Sequence, residues 1–141
     1  MDIHSLDRFI EAQERMYHIA LTEIREGEKR SHWMWYIFPQ LRGLGKSAMS
    51  YTYGIADLEE ARAYLAHPVL SARLTELCEA LLALDKARPE DIFGYVDAKK
   101  LHSSMTLFAL ADEENPIFGR VLARFYAGRQ DRKTLALLGK V

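Results

Sequence analysis

No stretch of this chain alternates apolar and polar residues over more than four positions, whereas apolar side chains recur at steps of three and four almost throughout. That periodicity leaves helices as the building material. Between Leu6 and Ile24, the side chains of Phe9, Ile10, Met16, Tyr17, Ala20, Leu21 and Ile24 share one stripe, and Gly27 supplies a stop. Composition agrees: Leu and Ala contribute 36 of the 141 residues, while Val, Ile and Thr contribute 17.

Capping residues mark the later helices. Asp57 with Glu60 three residues on predicts a helix from Leu58 in which cap and carboxylate bond reciprocally. Pro68 ends that helix and opens another, whose stripe of Val69, Leu70, Leu74, Leu77, Leu81 and Leu82 runs to about Leu84. A turn from Pro89 to Phe93 closes at Gly94, and Asp97 is predicted to cap a helix from Ala98 to about Ala111. Asn115 with Pro116 launches a helix ending at Gly128, and Asp131 caps a last one through Leu138. The expected architecture is all-α, a single compact orthogonal globule of about seven or eight helices over residues 1–141. With 49% apolar and 28% charged residues, disorder, a collagen-like repeat and a disulfide-dependent miniprotein are excluded.

Nineteen cations stand against 20 acids, a balance that argues against a general polyanion binder, nucleic acid included. A lone cysteine, Cys78, forbids an internal disulfide, and its leucine-rich surroundings predict an inert thiol. No apolar run approaches the ~20 residues of a membrane span, and the start of the chain, Met1 to Arg8, is polar. A cytoplasmic protein with no membrane contact is expected. The five histidines show no ligand spacing, so no metal and no cofactor are expected.

One segment departs from the helical pattern. Residues 29–56 carry Lys29, Arg30, Arg42 and Lys46 with no acid, together with six of the fifteen aromatics, both tryptophans among them. The run from His32 to Pro39, with Trp33 and Trp35, suits either a core helix or the wall of a cleft where a flat ring stacks. Gln40, Arg42, Gly43, Gly45, Lys46 and Ser47 follow, and two glycines before a Lys-Ser pair would suit an oxyanion. The phosphate-loop pattern is not met, because a glycine is missing at Gln40 and no strand precedes the loop. A second polar cluster, Asp97, Lys100, Ser103 and Ser104, invites the same question, since serine is a poor mid-helix residue. Asp7 and Glu11, one turn apart on the first helix, are the carboxylate pair that could share acid and base work.

Taken together, Asp7-Arg8-Phe9, Glu11-Ala12-Gln13, Ser31-His32-Trp33-Met34-Trp35, Phe38-Pro39-Gln40, Gly43-Leu44-Gly45, Ile92-Phe93-Gly94 and Ser103-Ser104-Met105-Thr106 resemble the domain-of-unknown-function 1810 family, from about Leu6 to Leu138. The resemblance implies a compact all-helical domain and brings no established activity. The label calpastatin that such sequences often carry has no physical support, since that inhibitor is extended and disordered. The chain departs from the usual pattern at His102, where arginine is common, and at Tyr95-Val96, where a small residue and proline are common. Phe9 to Gln13 also looks like a stretch of the YbiA-type (NADAR) N-glycosidases, whose preceding acidic residue would fall on Asp7.

The leading expectation is a basic, Trp-lined cleft binding a small phosphorylated or nucleotide-like (ADP-ribose-type) ligand. As an N-glycosidase-type hydrolase it would use Asp7 or Glu11 to assist a water. The alternative is a non-catalytic helical module that docks a protein partner. RNA binding, motivated by the basic aromatic stretch, is a third reading, against which the near-neutral charge stands.

Overall fold

A computed structural model describes residues 2–140. Eight helices follow in order: α1 (Asp7–Arg25), α2 (Met34–Ile37), α3 (Ala48–Thr52), α4 (Leu58–Ala66), α5 (Pro68–Leu82), α6 (Glu90–Ala111), α7 (Ile117–Tyr126) and α8 (Arg132–Leu137). The expected all-α fold is what forms. Non-helical pairing among the described residues amounts to one parallel bridge between Leu41 and Ile55.

Local chemistry explains most boundaries. Asp57 accepts from the Glu60 amide and Asp131 from the Thr134 amide, so α4 and α8 begin where their caps stand. Pro68 opens α5, with the His67 ring accepting from the amides of Val69 and Leu70. Asn115 accepts from the Ile117 amide at the start of α7. The reciprocal half of the Asp57 box differs from expectation: the Glu60 carboxylate accepts from the Ala56 amide at 2.9 Å and pairs with Arg8.

Two further expectations are corrected. The aromatic run from His32 to Pro39 holds only one helical turn, α2. Asp97 does not start a helix, because α6 runs from Glu90 and breaks direction at Gly94, whose φ of 77° is open to glycine without strain. Asp97 lies inside the helix, and its carboxylate is taken by lysines instead of by backbone amides.

The core is one contiguous cluster. Phe9, Ile24, Trp33, Ile37, Ile55, Leu70, Leu81, Leu101, Phe108 and Phe118 are fully enclosed within it. The α1 stripe faces α5 and α2, and α6 packs on α4 and α7. Burial of Leu, Phe and Trp side chains on this scale, at about 1.5–3 kcal/mol each, is what holds short helices such as α2 and α3 that could not persist alone.

Three buried polar side chains join the helices to the loops. Arg8, 1% exposed, donates to the carbonyls of Ser5, Thr52 and Gly54 and meets Glu60 at 2.9 Å. Gln13 donates to the Tyr36 carbonyl and the Tyr64 hydroxyl. Glu23 accepts from the amides of Arg30 and Ser31, the Ser31 hydroxyl and the Trp33 indole N–H. Burial alone would raise the Glu23 carboxyl, but these hydrogen bonds outweigh it and hold it at about 2.

Candidate functional site

The segment 38–56 is a loop closed on itself. Arg42 donates its amide to the Ile55 carbonyl and Ile55 donates to Gln40, so the two ends of the loop lie side by side. Gly54 is where they cross: a Cβ there would stand 2.7 Å from the Arg42 Cα. This closure brings Ser50, Tyr53 and Gly54 against α2 and the Lys100 turn of α6. With Met34, Trp35, Phe38 and Gln40 they line a hollow of about 10 Å³, room for about one water molecule. Gly45 borders it too, since a Cβ at that position would meet Ser50 and approach the Gln40 amide nitrogen to 3.6 Å.

Of the residues singled out in the sequence, Trp35, Gln40 and Lys100 therefore converge, with Gly45 beside them. Trp35 is half-buried, and the Lys100 ammonium lies 4.9 Å from its ring centre, within cation–π range. The Gln40 carboxamide makes no hydrogen bond among the described residues, so its donor and acceptor are unused. Lys46 and Ser47 follow Gly45 on the exposed side of the loop. Ser47 caps α3 through the Ser50 amide and also meets the Ser50 hydroxyl, at 3.0 Å. A five-residue helix offers no anion site at its start, so the Lys-Ser pair reduces to an exposed ammonium beside a capping serine.

Other residues take structural positions. Trp33 is sealed in the core against Phe38 and Phe93, with its N–H on Glu23, and so lines no cleft. Arg42 donates to the carbonyls of Tyr51 and Ile3. Gly43 turns towards Leu137, and His32 is exposed. Asp97 bridges Lys29 at 2.8 Å and Lys100 at 3.4 Å. Ser103 donates to the Lys99 carbonyl and to Asp131, which ties α6 to α8. Ser104 is fully buried with no hydrogen-bond partner among the described residues, and it does not line the hollow. The basic, Trp-lined cleft expected from the sequence thus does not gather Lys46, Ser103 or Ser104 at the hollow, which Trp35, Gln40 and Lys100 border.

The carboxylate pair lies elsewhere. Asp7 and Glu11 are both exposed and border an open depression of about 230 Å³ with Asp2, Ser5 and Arg8. No residue is common to that depression and the hollow. Cys78 is sealed beside Met105, and burial pushes its thiol up, so it is a poor nucleophile at neutral pH. No cluster of three or more metal-ligating side chains occurs among the described residues, and no helix is long and apolar enough to cross a membrane.

Sequence reasoning passed over Glu23, which fixes Trp33, and Ser50 and Tyr53, which complete the hollow. Ser50 was traceable, since Ser47 three residues before it signals a cap. Glu23 sits in a charged helical run and carries no local signal of its burial.

The backbone has a crystallographic counterpart. It superposes on the crystal structure of the conserved hypothetical protein Rv1873 from Mycobacterium tuberculosis with a TM-score of 0.93 at 49% identity, covering 95% of this chain and 96% of that one. No curated protein matches. The likeness to N-glycosidases gains nothing from these comparisons and rests on five residues of α1. Residues 3–138 match the family described as Protein of unknown function (DUF1810), and with that match running nearly end to end the chain belongs to this family.

Proposed function

We propose that the protein binds a small phosphorylated or nucleotide-like molecule on the ledge formed by Trp35, Gln40, Ser50 and Lys100, with Lys46 following Gly45 in the loop that borders it. One observation carries this reading: a half-exposed indole beside an ammonium, bordered by a carboxamide with no hydrogen-bond partner among the described residues. An indole face accepts a flat ring, an ammonium accepts an oxyanion, and a free carboxamide reads one donor and one acceptor. Asp97 draws on the Lys100 charge, and a phosphate arriving there competes for it. The hollow itself is too small for such a ligand, which would lie across its mouth. The reading is one of binding without chemistry, because Asp7 and Glu11 face a different surface.

Calorimetric titration with ADP-ribose tests it, using wild type, Trp35→Leu, Lys100→Ala and Lys46→Ala. Wild type should bind, and loss of either Trp35 or Lys100 should weaken binding about tenfold, with a smaller loss for Lys46→Ala. Absence of binding by wild type, or equal affinity in all four proteins, would overturn it.

A further inference from the structure

The overall charge balance hides a division along the chain. Residues 116–140 hold six cations, Arg120, Arg124, Arg129, Arg132, Lys133 and Lys140, and one acid, Asp131. The rest of the chain has 13 cations against 19 acids, a net of −6 against +5 for this segment. All six cations are exposed. Arg124 is occupied by the carbonyls of Leu82, at the end of α5, and of Leu84 and Lys86 just beyond it. Arg120, Arg129, Arg132 and Lys133 have no ion pair among the described residues. The single acid is engaged as well: Asp131 accepts from Ser103 and from the amide and hydroxyl of Thr134.

The corner between α7 and α8 adjoins an aromatic. Tyr95, Lys99 and Ser103 fall on one face of α6 at successive turns, and Ser103 reaches Asp131 at 3.2 Å. Tyr95 is 71% exposed, so a large ring stands free about 12 Å along the helix from the point where α8 is attached. Leu137 is 52% exposed, but no second exposed large apolar side chain of α7 or α8 accompanies it among the described residues, as a lipid-inserting wedge would need. Glu90, at the start of α6, has Arg88 at 3.9 Å.

We propose that the surface made by the α7–α8 corner and the outer face of α6 binds single-stranded nucleic acid, with phosphates on Arg129, Arg132, Lys133 and Lys99 and a base on Tyr95. Unpaired cations track a backbone regardless of sequence, and an exposed ring stacks any base. The surface is separate from the Trp35 ledge and does not depend on that reading.

Fluorescence anisotropy with a labelled twelve-nucleotide oligouridylate, at 50 and 200 mM salt, decides it. Wild type should bind and weaken as salt rises. The double variant Arg132→Glu/Lys133→Glu should lose at least tenfold at 50 mM salt and show a shallower salt dependence. Tyr95→Ala should lose about fivefold or more with the salt dependence unchanged. All three side chains are exposed, and unchanged circular dichroism and melting confirm that the variants fold. Absence of wild-type binding at 50 mM salt, or binding indifferent to both variants, overturns the proposal. So does stronger association with phosphatidylserine vesicles than with the oligonucleotide, or self-association of the chain lost in the charge-reversed variant without oligonucleotide binding.

Discussion

The segment 29–56 and the α7–α8 corner are both rich in cations along the chain, yet they end in opposite electrostatic states. In the first, Lys29 finds Asp97, Arg30 finds Glu26 and Glu28, and Arg42 is spent on carbonyls, which leaves Lys46. In the second, the one acid is consumed as a helix cap and the cations keep their field. An acid-free stretch of sequence therefore says little about surface potential when acids elsewhere fold onto it. A stretch onto which no carboxylate folds within ion-pair distance, as at Arg120, Arg129, Arg132 and Lys133 among the described residues, keeps what it carries.

The contrast can be broken most severely at Glu23, which holds the tryptophan segment as interior. Glu23→Ala strands the indole N–H and two amides, and unfolding in urea should show a loss of about 3 kcal/mol. Next comes the loop crossing: Gly54→Ala sets a Cβ against the Arg42 backbone and should cost about 2 kcal/mol by the same measurement. The Glu23 carboxyl is depressed in the folded protein from 4.5 to about 2. Between those values the unfolded chain takes up a proton that the folded chain refuses, so stability falls as pH drops through this window. Denaturant midpoints at pH 5 and pH 3 should show that fall, and Glu23→Gln should reduce it.

A milder change would sharpen the comparison. Asp97→Asn releases Lys29 and Lys100, makes the first region resemble the second, and should tighten ADP-ribose binding about threefold by calorimetry. The smallest effect belongs to Arg30→Ala. Its partners are exposed, so neither the urea midpoint nor either binding measurement should move detectably.

Helices with a side-chain cap or a terminal proline were legible from sequence: Asp57, Pro68, Pro116 and Asp131 mark real starts because each acts within one turn of itself. The misreading of Asp97 has a physical source. An aspartate before a helical stripe looks the same whether its carboxylate meets amides or two lysines, and one of those lysines lies 68 residues away. Around the candidate site, Trp35, Gln40 and Lys100 were readable as residue types, but their meeting depends on the crossing at Gly54 and on the α6 bend at Gly94. Trp33 and Trp35, two residues apart in a single helical turn, face opposite fates, and no periodicity distinguishes them.

Arg8 and Ile3 fasten the loop that presents Gln40 and Ser50, the first through the Thr52 and Gly54 carbonyls and the second through Arg42. A version trimmed of its opening eight amino acids would retain every side chain of the ledge yet let go of the platform beneath it.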